Sequence, residues 1–141
     1  MREIIGYHMA DYFAHWLSFA ERTERSKLPK IYFVNWFRKG ADGKFLWPGY
    51  GENSRVLEWI CERVEGTAKA RETEIGNLPT HEALNLTGLN VSPENIENLI
   101  EVDVPGWKKE IEDVAANYAK LGSRLPAALS TQLDELRQRL G

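Results

Sequence analysis

Residues 35–55 read NWFRKGADGKFLWPGYGENSR and combine five large aromatic residues with basic side chains and four glycines. A globular domain gains little by exposing so many rings unless something flat lies between them. Nucleobases are planar and are held by stacking on aromatic side chains, and an amide such as that of Asn53 reads a base edge through paired hydrogen bonds. These residues therefore predict a purine-binding site.

The same segment lacks the parts that hold a triphosphate. The chain contains no Gly-x-x-x-x-Gly-Lys-Ser/Thr loop, and residues 48–53 lack the lysine and the hydroxyl that would contact phosphate and metal. Arg38, Lys39 and Lys44 flank a predicted turn, where basic residues are most often only solvated. Weak attraction of a phosphate group is the alternative for these three.

Composition restricts the class of protein. The chain has 141 residues, 43% hydrophobic and 28% charged, which suits one globular domain. A net charge of −3 argues against a protein that holds nucleic acid by broad electrostatic attraction. The single cysteine, Cys61, excludes an internal disulfide and favours a reducing cytoplasm. The apolar runs are too short for a signal peptide or a membrane span, so we expect no membrane partner.

The first half of the chain shows a helical and then an extended pattern. Apolar residues at helical spacing predict an amphipathic helix over about 7–22. Residues 31–37 are rich in β-branched and aromatic types, which predicts a strand, with a turn at Asp42-Gly43 and a return arm at 44–47. The next helix is predicted from a cap at Asn53 or Ser54 to a stop at Gly66. Its inward stripe is predicted to be Leu57, Ile60, Cys61 and Val64.

The second half is predicted to be irregular and then helical. Residues 67–90 carry scattered Thr, Gly, Asn and Pro, which predicts irregular chain with one turn near 81–84. Ser92-Pro93 is typical of a short helix start, and Pro105 opens a longer helix that ends at Gly122. The apolar face of this longer helix is predicted to be Trp107, Ile111, Val114, Tyr118 and Leu121. A last helix carries a leucine stripe at positions 125, 129, 133, 136 and 140. The predicted class is α+β, mainly helical, with a short strand or hairpin and four to five helices.

Several segments have amino-acid sequences that are more specific than these periodic patterns. Residues 14–17, 35–39 and 45–59, together with 75–79 and 83–89, resemble the C-terminal region of GTP-dependent phosphoenolpyruvate carboxykinase. The resemblance covers nearly the whole chain, 1–141, whereas enzymes of this family are several times longer. It implies a C-terminal segment that begins just after the family's mobile active-site lid.

The resemblance also implies a function for the aromatic segment. In this family the rings at Phe37, Phe45 and Tyr50 enclose guanine, and residues 50–53 contact the base. The implied nucleotide-binding residues are Phe37, Phe45, Tyr50, Gly51, Glu52 and Asn53. The parent reaction converts oxaloacetate and GTP to phosphoenolpyruvate, GDP and carbon dioxide in gluconeogenesis, with manganese or magnesium. The resemblance places the metal ligands and all catalytic residues upstream, so we expect the isolated chain to be inactive and to partner with the missing N-terminal part.

Other interpretations stay open at this point. The three rings are also typical of plain core, and Asn53 is also typical of a helix cap. His8 and His15 lie near one helix face, but two histidines without a third ligand make a poor metal site, and Cys61 in a buried stripe would be an inert thiol. Residues 3–5 and 8–10 depart from the family pattern. The alternative functions are a non-catalytic module for a purine or single-stranded nucleic acid, and a structural helical piece that docks through apolar faces.

Overall fold

The structure, a computed structural model, describes residues 6–141. It confirms the mainly helical α+β class. None of the helices within these residues is both long and apolar enough to cross a lipid bilayer. The helices are α1 (Met9–Arg22), α2 (Asn53–Glu65), α3 (Pro93–Ile100), α4 (Val104–Ala119) and α5 (Ala127–Leu140), and the two strands are β1 (Arg71–Thr73) and β2 (Gly76–Leu78).

The described chain divides into two compact units. The first unit combines residues 6–29 with 103–141, and the second unit contains residues 30–102. The departures at residues 3–5 lie outside the described residues. Each unit has its own packing and is described separately.

The first unit is built on the pair α4 and α5. Ile111 of α4 is buried with Leu133 and Leu140 of α5, and the half-buried residues around them include Trp107 and Tyr118. This confirms the predicted apolar faces of both helices. Helix α4 starts where the sequence predicts, because a proline occupies its first turn and a carboxylate caps its N-terminus. The cap is Asp103, whose Oδ1 accepts a hydrogen bond from the Gly106 N–H at 2.9 Å.

Helix α1 of the same unit leaves many rings exposed. The N-terminus is capped by His8, whose Nδ1 accepts a hydrogen bond from the Ala10 N–H at 3.2 Å. Ala10 is the fully buried residue of this helix, whereas Trp16 is 51% and Phe19 42% exposed. The predicted helix is therefore confirmed, but much of its apolar surface faces outward.

Helix α2 of the second unit presents a different face from the predicted one. Its buried residue is Trp59, 5% exposed, whose indole N–H donates to the Lys69 carbonyl at 3.1 Å. Leu57 and Val64 are 53% and 56% exposed, and Cys61 is exposed as well. The prediction of an inward Leu57, Ile60, Cys61 and Val64 stripe is wrong, and Cys61 is not a buried thiol. The predicted stop at Gly66 is confirmed, with this glycine in the left-handed conformation.

The strand pair lies where the sequence predicted mostly irregular chain. Strands β1 and β2 are antiparallel, with Arg71 opposite Leu78 and Thr73 opposite Gly76. The Thr73 hydroxyl donates to the Gly76 carbonyl at 2.6 Å, and Gly76 has φ 128°, a conformation that few other residues tolerate. The short turn at His81–Ala83 and the capped start of α3 at Ser92 agree with the predictions.

The predicted strand at 31–37 is wrong. Within the described residues this part of the chain forms one isolated bridge, between Lys39 and Phe45. A strand requires a neighbour that accepts and donates its backbone hydrogen bonds, and the second unit supplies none for these residues. Burial nevertheless alternates residue by residue from 31 to 40, as it does along a strand. The outward positions include Ile31 at 86% and Phe33 at 90% exposure.

Candidate functional site

A narrow loop in the second unit brings two of the predicted site rings together. The Leu46 N–H donates to the Arg38 carbonyl and the Gly40 N–H to the Lys44 carbonyl, both at 2.9 Å. The predicted turn at Asp42-Gly43 is confirmed, since Gly43 adopts φ 77°. The predicted hairpin of two strands is wrong, because the structure has a loop with one isolated β-bridge at this place. The loop comprises residues 38–46. It holds the ring of Phe45 beside the ring of Phe37, the residue before the loop, with ring centroids 6.0 Å apart and ring planes at 65°.

Both rings are open to solvent. Phe37 is 73% and Phe45 55% exposed, which excludes the interpretation of these rings as plain core within this unit. The Lys39 ammonium lies 5.3 Å from the centre of the Phe45 ring, at cation–π distance. The pair therefore presents aromatic surface beside a positive charge, which suits a planar ligand that carries negative charge.

The opposite side of the loop is anchored in the unit. Leu46 and Trp47 are only 5% and 6% exposed. The Trp47 indole N–H donates to Asn53 Oδ1 at 3.0 Å. This hydrogen bond ties the loop of Phe45 to the first residue of α2.

The predicted base-contacting turn, residues 50–53, precedes and starts α2. Gly49 adopts φ 118°, which favours glycine, and its carbonyl accepts the Glu52 N–H at 3.1 Å. Tyr50 is 92% exposed, and a Cβ built on Gly51 would meet nothing within 4 Å. Asn53 does not cap α2 with its side chain, because the N-cap position is Glu52 and no side chain caps it. The prediction of Asn53 or Ser54 as the cap is wrong.

An arginine supports this turn from within α2. Arg55 Nε lies 2.6 Å from Glu52 Oε2, and Arg55 Nη1 donates to the Asn85 carbonyl at 2.5 Å. The Arg55 side chain is only 18% exposed, so water screens this ion pair less than it screens one on the open surface. Sequence reasoning did not assign Arg55 or Trp47 to the site. The i, i+3 spacing of Glu52 and Arg55 at a helix start was a readable signal for the ion pair.

The three basic residues near the loop have separate roles. Arg38 Nη1 donates to the Glu101 carbonyl at 3.1 Å, just past the C-terminal end of α3. Lys44 Nζ lies 3.6 Å from Asp42 Oδ2 in an exposed pair. Lys39 is the one of the three that lies over a site ring. Arg38 therefore stabilises the fold, and only Lys39 keeps a favourable position for phosphate attraction.

A cleft lies between α2 and residues 82–85 of the same unit. It has a volume of about 260 Å³ and is lined mainly by charged and polar residues. Hydrogen bonds from the Glu82 backbone N–H and the Thr80 hydroxyl lower the pKa of the Glu82 carboxyl at its rim. The lining residues are Arg55, Glu58, Trp59, Glu62 and residues 82–85, and none of the predicted site rings is among them.

The described residues do not fit a metal ion. Within 6–141 no three His, Cys, Asp or Glu side chains come together in a way that could hold one. His8 caps α1, and His15 packs edge-on against the Phe19 ring at 5.1 Å.

Comparison with known proteins gives a consistent result. Residues 1–139 match the family described as phosphoenolpyruvate carboxykinase C-terminal P-loop domain. The chain is similar to phosphoenolpyruvate carboxykinase [GTP] of Treponema pallidum (52% identical over 141 residues) and of Neocallimastix frontalis (53%). The protein of the same name from Paenarthrobacter aurescens is 45% identical. Each match covers 99–100% of this chain but only 23% of the relative, so the chain spans about a quarter of the length of these proteins.

Proposed function

This chain belongs to the GTP-dependent phosphoenolpyruvate carboxykinase family, and we propose on that basis that its residues 37–53 bind the guanine base of the nucleotide. The observation that carries the proposal is the exposed pair Phe37 and Phe45, joined to the Tyr50–Asn53 turn by the Trp47–Asn53 hydrogen bond. Stacking needs open ring faces, and reading a base needs a fixed polar group beside them. The loop offers both in one unit.

The role of each site residue follows from its position. Phe37, Phe45 and Tyr50 supply ring surface, since all three are more than half exposed. Asn53 supplies a donor and an acceptor for the base edge. Gly51 leaves open space above the turn, and Glu52 holds the turn to α2 through Arg55.

We propose that this site serves the reaction of the complete enzyme, in which oxaloacetate and GTP give phosphoenolpyruvate, GDP and carbon dioxide in the cytoplasm. Manganese or magnesium supplies charge stabilisation for the phosphoryl group when bound. Residues 48–53 lack the lysine and the hydroxyl of a phosphate-binding loop, and we expect the contribution of this chain to be to bind and orient the base. On its own the chain is expected to show no turnover with oxaloacetate, GTP and manganese.

We also propose that the rest of the enzyme is the partner of this chain. In the second unit the outward row Ile31 and Phe33 and the outward α2 residues Leu57 and Val64 leave large apolar area in water. Exposed large apolar side chains in this number favour an interface with another part of the protein. The alternating burial from 31 to 40 fits a strand that gains its neighbour from the partner.

The base-binding role is tested by removing one ring at a time. Stacking contributes about 1–3 kcal/mol per base, so a site without phosphate contacts binds GMP weakly, on the order of millimolar. Phe45→Ala is expected to weaken GMP binding by about fivefold or more, measured by NMR titration of the 141-residue chain.

Phe33→Ala is the control, because Phe33 is also an exposed phenylalanine of the same unit, 90% against 55% for Phe45, and lies outside the site. It is expected to leave GMP affinity unchanged. Equal losses in the two variants would contradict the assignment of the site, and so would wild-type protein that does not bind GMP at any soluble concentration.

A further inference from the structure

The hydrogen bond between Trp47 and Asn53 restricts the orientation of the Asn53 amide. The indole N–H is a donor only, so the atom that faces it must be the amide oxygen. The 3.0 Å distance from Nε1 to Oδ1 has this arrangement. A rotated amide would place its NH₂ group against the indole N–H, so two donors would face each other and the N–H of a ring that is only 6% exposed would lose its partner.

The orientation matters because an amide can read two different base edges. On its Watson–Crick edge guanine presents an acceptor, O6, beside a donor, N1–H. Adenine presents a donor, the N6 amino group, beside an acceptor, N1. For a base held in one pose by stacking, one orientation of the amide pairs with guanine and the rotated orientation pairs with adenine.

We propose that Trp47 is a positioning residue that selects guanine over adenine by holding the Asn53 amide in one orientation. This inference rests on the proposed base-binding function and adds the source of its specificity. The hydrogen bond with Trp47 uses one of the two lone pairs of Oδ1. The second lone pair and both Nδ2 hydrogens remain for the base, so Asn53 can fix its own amide and pair with guanine at the same time.

The test is Trp47→Phe, which keeps an aromatic ring in the buried position and removes the indole N–H. The amide is then free to rotate, so the preference for GMP over AMP is expected to fall by about tenfold, the scale of one lost base-reading contact. Because the rotated amide pairs with adenine, AMP affinity is expected to be kept or to rise while GMP affinity falls. General loosening of the site would weaken both nucleotides together.

Trp59→Phe is the matched control. Trp59 is equally buried in the same unit, at 5% exposure, and its indole N–H also donates a hydrogen bond, to the Lys69 carbonyl. This variant is expected to keep the wild-type ratio of GMP to AMP affinity. A second readout needs no ligand: the side-chain amide signals of Asn53 should shift in Trp47→Phe and stay in place in Trp59→Phe.

The outcomes separate the two claims. If the wild type prefers GMP and Trp47→Phe keeps that preference, or weakens both nucleotides equally, the role of Trp47 is overturned while the base site stands. If the wild type binds neither nucleotide, or binds both alike at these residues, the base site is overturned and the role of Trp47 falls with it.

Discussion

Helices α4 and α5 of the first unit and helix α2 of the second unit all carry apolar residues at regular spacing, but they bury them to different extents. In the first unit Ile111, Leu133 and Leu140 of α4 and α5 are at most 8% exposed. In the second unit Leu57 and Val64 of α2 are more than half exposed, although they have the same helical spacing. Periodicity indicates which residues share a face, and only a neighbouring element determines whether that face is buried.

This difference bears on function. In the α4–α5 pair each helix covers the apolar core residues of the other, so Ile111, Leu133 and Leu140 are occupied in packing. The loop and α2 of the second unit keep open rings and an open helix face, which are the features that bind a planar ligand and a protein partner. We therefore assign the binding roles to this loop and to α2.

The largest expected effect comes from one substitution made in both regions. Leu133→Ala removes a leucine that is 8% exposed and leaves a cavity, so it should lower the free energy of unfolding by about 2–4 kcal/mol. Leu57→Ala removes the same atoms from a site that is 53% exposed and should cost less than about 0.5 kcal/mol. Chemical denaturation followed by circular dichroism measures both. Equal losses of unfolding free energy in the two variants would contradict the difference in burial between α5 and α2.

A smaller effect is expected from the helix caps, which are alike in the two units. Asp103 caps α4 in the first unit and Ser92 caps α3 in the second, each accepting a backbone N–H. Caps act locally, so Asp103→Ala and Ser92→Ala should each cost about 1 kcal/mol despite the difference in core burial. Asp103→Asn and Ser92→Thr serve as controls that keep a capping oxygen. A cost confined to one unit would show that burial influences the caps as well.

The open face of α2 should be visible without any loss of stability. A dye that fluoresces on apolar surface is expected to bind the wild-type chain, and Val64→Lys should reduce its signal because Val64 is 56% exposed. The free energy of unfolding should change by less than about 0.5 kcal/mol. Ile111→Lys is the contrasting variant, since a charge in that buried position should unfold the first unit. Wild-type protein that binds no dye would contradict an open apolar face.

The smallest expected effect is electrostatic. Hydrogen bonds from the backbone N–H of Glu82 and from the Thr80 hydroxyl lower the pKa of the exposed Glu82 carboxyl. A lowered folded-state pKa means that the stabilising contribution is present above the unfolded-state value and is lost as pH falls through the folded-state value. NMR titration of Thr80→Val should show the pKa of Glu82 rising but staying low, because the backbone N–H remains. An unchanged pKa of Glu82 in this variant would show that the Thr80 hydroxyl does not lower it.

Sequence patterns predicted the elements whose signals are local. The Ser92-Pro93 start, the stop at Gly66 and the apolar face of α4 at Ile111 all agree with the structure. They follow from capping, glycine conformation and helical spacing, which need few distant contacts.

The patterns failed where a partner element decides the result. Residues 31–37 have strand-forming composition but no neighbouring strand among the described residues. Strands β1 and β2 contain mostly residues that rarely form strands, and they pair because the turn before Gly76 brings them together. The proposed site rings were assigned from their density in the sequence and from the family resemblance, and their role stays a prediction. The link from Trp47 to Asn53 joins two residues six positions apart across a loop and a turn, and no spacing rule predicts it.

The central claim, that residues 37–53 bind a guanine base, is tested most directly by mapping chemical shifts of the wild-type chain during titration with GMP and with AMP. We predict that GMP shifts the signals of Phe37, Phe45, Tyr50 and Asn53, and that AMP shifts the ring signals less and moves the Asn53 amide little. Shifts concentrated in α4 and α5, or equal shifts with both nucleotides at all four residues, would contradict the claim.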